Sequence, residues 1–275
     1  MTDALVFLGP ALAMCFVLAG IHVYLGMHVL QREVIFIDLS LAQIAALGAT
    51  VAAVTSAHDE PGGLRANLLA FAFTVVGATI FAFTRRARRR VPQEAIIGIV
   101  YAVASAACVL VMSQSAHETE RIKDMLVGQL LSVTWRRVAF TAAEYALIGL
   151  VHTLIARRVI RISWAPEEAE REMRVEWWDL LFYLLFGAVI TTSVQVAGVL
   201  LVFTLLIVPA VITRLFSTRF LPRLFAGWGL GMLGTCLGTA ASWLWDLPTG
   251  AAVVVSFGLL LLVAGAARAV LTRAG

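Results

Sequence analysis

Residues 180–212 read LLFYLLFGAVITTSVQVAGVLLVFTLLIVPAVI, thirty-three positions without one charged side chain. A bilayer-crossing helix needs about 20 apolar residues, so this run is long enough for more than one crossing. Thr191, Thr192, Ser193 and Gln195 form a polar island in it. A polar island at a helix break lines a cavity in many transporters, or it is a turn between two spans.

The pattern repeats along the chain. Apolar stretches fall at 4–30, 34–54, 66–84, 94–113, 138–156, 178–194, 196–213, 224–245 and 249–267. The expected fold is therefore all-α: a polytopic helix bundle with eight or nine transmembrane helices, forming one domain over 1–275. The shorter stretch at 125–133 is too short to span and is expected to be interfacial or a half-helix. Composition agrees, because 61% of the 275 residues are hydrophobic and 14% are charged. A soluble domain is about 45–50% apolar and about 25% charged. That excludes a cytosolic enzyme, a nucleic-acid binder and a disordered chain. The N-terminus lacks an early Arg or Lys, so it reads as a retained first span rather than a signal peptide.

Sixteen of the 21 Lys+Arg lie in the segments 31–33, 85–90, 157–176, 214–223 and 268–275. Basic residues concentrate on the cytoplasmic side, which predicts an outside N-terminus and a cytoplasmic C-terminus. The other five are Arg65, Arg121, Lys123, Arg136 and Arg137. Cys15, Cys108 and Cys236 sit apart inside apolar stretches and read as small core residues. Gly227, Gly231, Gly234 and Gly238 place small residues about one turn apart on one span, which favours close helix packing within the chain.

Ionisable groups inside a membrane are costly, so each is a functional candidate. Asp38 lies four residues into the second span, with Gln43 about a turn deeper. Glu144 and His152 are eight apart and project to similar sides of one helix, as a relay, a ligand pair or structural bonds. His22 and His28 face different directions and read as packing groups. In the segments expected outside, His58 stands in an HDE triplet before Pro-Gly-Gly, and His117, Glu120 and Asp124 follow at i, i+3 and i+7. On a helix those three share one face, and such N/O donors suit Zn²⁺ or Mn²⁺. A solvated face is the plain alternative. No G-x-x-x-x-G-K-[ST], HExxH or GxSxG is present, so ATP binding in that manner and the corresponding hydrolases are not expected.

Five segments, in order, resemble the permease subunits of zinc/manganese/iron ABC importers. They are REVIFIDLSLAQIAALGA (32–49), QEAIIGIVYAVASAACVLV (93–111), IKDMLVGQLLSVTW (122–135), VAGVLLVFTLLIVPAVITRLF (196–216) and WDLPTGAAVVV (245–255). The resemblance implies a bacterial-type inner-membrane permease that moves a divalent metal inward, zinc first and manganese second. It implies no resident cofactor, since zinc or manganese is cargo. The implied partners are two cytosolic ATPase subunits, an external metal-binding protein and a second permease copy. Arg214, Arg219 and Arg223, in RLFSTRFLPRLF (214–225) at the end of the fourth segment and beyond it, would form the ATPase-coupling element. Asp38, Gln43, Glu144, His152 and Asp246 are the pathway candidates; His58, His117, Glu120 and Asp124 are candidates at the outer mouth; Asp38, His117 and Glu120 are the metal candidates. Many family members carry a His four residues after the Asp of the second span, and here that position is Ala42. A permease for an iron chelate or a cobalamin-like cofactor, and an ion-coupled secondary transporter, are the alternatives.

Overall fold

The computed structural model describes residues 2–55, 63–84, 91–113 and 130–274. Among these residues the regular structure is helical throughout. The helices are α1 (Thr2–Arg32), α2 (Ile37–Thr55), α3 (Leu64–Thr84), α4 (Gln93–Met112), α5 (Trp135–Trp164), α6 (Pro166–Glu172), α7 (Val175–Phe216), α8 (Phe220–Trp245) and α9 (Thr249–Ala274). A 3₁₀ turn covers Leu130–Ser132; the rest of the 125–133 stretch, apart from Val133, lies outside the described residues. Eight helices, all but α6, are long and apolar enough to cross a membrane. This is the polytopic all-α bundle that the apolar stretches predict.

The stretches expected at 178–194 and 196–213 are the two arms of α7. The polar island does not break the helix. Thr191, Thr192 and Ser193 stay helical and donate their hydroxyls back to the carbonyls of Gly187, Ala188 and Val189. Such back-bonding satisfies a hydroxyl in an apolar setting without a turn. The break comes at Gly198, with φ 76° and ψ 159°, a region in which only glycine sits without strain.

The chain packs as two compact units. One contains Met1–Leu30, Asp124–Gly149 and Gln195–Gly275, and the other contains Gln31–Lys123 and Leu150–Val194. Both are built from separated pieces of sequence, so neither corresponds to a contiguous half.

In the first unit, small residues set the packing. A Cβ on Gly227 or Gly231 would press on Val23 or Ala19 of α1, and one on Gly234 or Gly238 would run into Phe257 or Val253 of α9. The glycine row on α8 is therefore an intrachain seam, as its spacing predicts. Gly26 meets the backbone of Leu206 so closely that no side chain fits. In the second unit Gly48 lies against the backbone of Leu69 and Ala70, and Gly77 against Ile44 and Leu41. Close backbone approach is how apolar helices gain dispersion energy where water gives no driving force. Cys15 and Cys108 are buried, whereas Cys236 is exposed, so the expectation of a core residue fails at Cys236.

Candidate functional site

Asp38 stands in the first turn of α2 and is 2% exposed. Its carboxylate accepts from the backbone N–H groups of that turn, at Asp38 and Leu39. Unfilled amides and the helix dipole both favour a negative charge at a helix start. Its Oδ1, however, is buried and has no hydrogen-bond partner among the described residues. An unmatched oxygen on a buried carboxylate is expensive, and it is one of the few such groups that calls for a ligand. Ala42, one turn along, and Gln43 are buried on the same helix.

Glu94 occupies the first turn of α4, in the same unit. Its Oε1 accepts the backbone N–H of Ile35 at 2.7 Å. It thereby caps, from another helix, the connector that leads into α2. Sequence reasoning overlooked Glu94, although its place beside Gln93 at the start of an apolar run was the available signal. Gln93 turns inward and donates to the carbonyl of Phe81.

A second charged cluster in that unit was also overlooked. Arg32 donates from Nη1 to Asp179 Oδ1 at 2.7 Å and from Nε to Ser163 Oγ at 2.9 Å. Its guanidinium lies 4.0 Å from the centre of the Phe182 ring. Asp179 is fully buried and Arg32 is 5% exposed. Counting Arg32 as a solvated positive-inside charge missed this pairing. The signal was Asp179, a lone acid within WWDLLFYLLF.

The remaining candidates separate. Glu144 and His152 both lie on α5, Glu144 in the first unit and His152 in the second. His152 is buried and packs edge-on against Phe182. His22 is held by the carbonyl of Leu18 at 2.7 Å, and His28 packs against Tyr24 and Phe220, which fits packing groups. Asp246 is exposed, with φ 52°, and caps α8 in the left-handed region. Asp tolerates that region, and Ser242 ties the turn by bonding Leu247 and Thr249. The D-x-P-x-G signature is thus the chemistry of a tight α8–α9 turn. Arg214 and Arg219 are exposed, but Arg223 is 2% exposed and its Nε and Nη2 have no partner among the described residues. His58, His117, Glu120 and Asp124 lie outside the described residues. Among those described, no three His, Cys, Asp or Glu side chains form a group able to hold a metal ion.

Comparison with known proteins adds four findings. The family described as the ABC 3 transport family matches residues 4–268. The manganese transport system membrane protein MntB of Synechocystis sp. is 25% identical over 191 residues, 68% of this chain and 61% of that protein. The manganese transport system membrane protein MntC of Listeria monocytogenes is 22% identical over 207 residues, covering 74% and 72%. Among solved structures, PsaBC from Streptococcus pneumoniae, in complex with Fab, aligns with a TM-score of 0.79 at 19% identity, covering 96% of this chain and 93% of that one. At that identity the likeness concerns the fold.

Proposed function

We propose, from the premise that this chain belongs to the ABC 3 transport family, that it is the membrane permease subunit of an ATP-driven importer of a divalent transition metal. The observation that carries the reading is Asp38, a buried carboxylate with one unmatched oxygen at the start of a spanning helix. A charge in that place is tolerated where a cation passes.

The sequence alone puts zinc ahead of manganese. Two considerations reverse that order. Ala42 supplies no imidazole one turn from Asp38, and a carboxylate without imidazole suits manganese better than zinc. The relatives named above are manganese systems. A transit site should also be weak, because tight binding blocks release.

The expected partners are a cytosolic ATPase, an external metal-binding protein and a second permease copy. Exposed Arg214 and Arg219 flank the connector between α7 and α8 and suit an acidic groove on the ATPase. Arg223 faces inward and would hold the first turn of α8 rather than touch the partner. The C-terminus is expected in the cytoplasm.

The test is ATP-dependent uptake of ⁵⁴Mn²⁺ and ⁶⁵Zn²⁺ into vesicles holding the permease with its ATPase and binding protein. Uptake of manganese above zinc, abolished in Asp38→Asn, is the expected result. An intact complex that hydrolyses ATP but moves neither ion would point to a chelated metal as cargo.

A further inference from the structure

Two carboxylates stand together in the second unit, and only one of them belongs to the reading above. Glu94 Oε1 accepts the backbone N–H of Ile35 at 2.7 Å, and Ile35 is only three residues before Asp38. Like charges at short range in an apolar setting repel strongly. Among the described residues Arg32 pairs with Asp179 and Arg161 with Glu172, and neither Asp38 nor Glu94 has a cationic partner. Asp38 Oδ1 and Glu94 Oε2 are both buried and unmatched. Glu94 is held through its other oxygen by the Ile35 amide in the connector before α2, and Asp38 stands in the first turn of α2. The helix starts hold the two groups in place, and the free oxygens remain for a third party.

We infer that Glu94 is the second carboxylate of the transit site, contributing Oε2 beside Asp38 Oδ1 to a hard divalent cation. Two carboxylates match the charge of one M²⁺, and the set is oxygen alone. Manganese accepts such a set with water filling its other positions; zinc gains little from it in the absence of imidazole or thiolate. Because only two side chains contribute, the ion is held briefly, as transit requires. The inference rests on the permease reading, and it adds a second acidic residue to Asp38.

A purely structural Glu94 would do no more than accept the Ile35 N–H, and this gives a clean separation. Glu94→Gln keeps a carbonyl oxygen for that hydrogen bond and removes the charge. Glu94→Ala removes both. The experiment is ⁵⁴Mn²⁺ uptake by the reconstituted complex over a range of Mn²⁺ concentrations, with the thermal unfolding midpoint of each variant measured alongside. Glu94→Gln is expected to unfold like the wild type while its half-saturating Mn²⁺ concentration rises by about 10-fold to 100-fold, as for loss of a group at a metal site. Asp38→Asn is expected to lose uptake. Wild-type uptake in Glu94→Gln, with Glu94→Ala merely less stable, would overturn the inference and leave the permease reading intact. Loss of uptake in the wild-type complex itself would instead overturn that reading.

Discussion

Arg32 and Asp179 show how one residue pair can be read two ways. In the sequence each is a lone charge at the edge of an apolar run. In the structure they are a buried pair, completed by Ser163 and by the face of Phe182. Removing one partner of such a pair leaves the other charge buried and unpaired, which costs about 3–5 kcal/mol. Arg32→Met should therefore lower the unfolding midpoint in detergent markedly. Replacing both, as Arg32→Met with Asp179→Leu, should recover most of that loss, because an apolar pair needs no solvation. A double variant as unstable as the single one would show that Arg32 acts chiefly through Ser163 and Phe182. Asp38 differs from this pair: it has backbone donors and an unmatched oxygen. Asp38→Asn should keep the fold and lose transport, since an amide still accepts those N–H bonds. Asp38 was legible as a candidate because a charge inside an apolar stretch is conspicuous. Glu94 was not, because a carboxylate in the first turn of a helix has an ordinary explanation.

At the scale of elements, α7 carries the main difference between expectation and structure. Polar residues at 191–195 suggested a break, yet hydroxyls can bond to the preceding turn and leave a helix intact. Only backbone conformation breaks it, and Gly198 supplies that. Gly198→Ala puts a Cβ in a glycine-only region and should cost about 1–3 kcal/mol. The check is the unfolding midpoint, with Gly229→Ala as a control, because a Cβ at Gly229 meets nothing. The glycine row on α8 is the opposite case. Its spacing was readable, and the structure adds which helix each glycine meets. Gly238→Leu should disrupt the α8–α9 contact at Val253 and reduce the folded yield, measured by size-exclusion chromatography of a tagged protein. Asp246 belongs at this scale too, since it caps α8 in the left-handed region.

For the whole molecule, charge distribution predicts topology. With sixteen of 21 basic residues in five segments, the C-terminus should face the cytoplasm. A fluorescent reporter fused after Gly275 should be bright, and an alkaline phosphatase fused there should be inactive; the reverse pattern would invert the assignment. The sequence by itself determined the class: apolar runs of spanning length exclude a soluble fold, and five ordered segments point to a permease. It determined Asp38 as a candidate for the same reason, that an ionised group in apolar surroundings is costly wherever it ends up. Only the tertiary structure decided which charges are matched. It paired Arg32 with Asp179, turned Arg223 inward and brought Glu94 onto the Ile35 amide just before Asp38. The physical reason is that the energy of a buried charge depends on what lies within a few ångströms of it. Sequence spacing fixes those neighbours within one helix, and packing fixes them between helices.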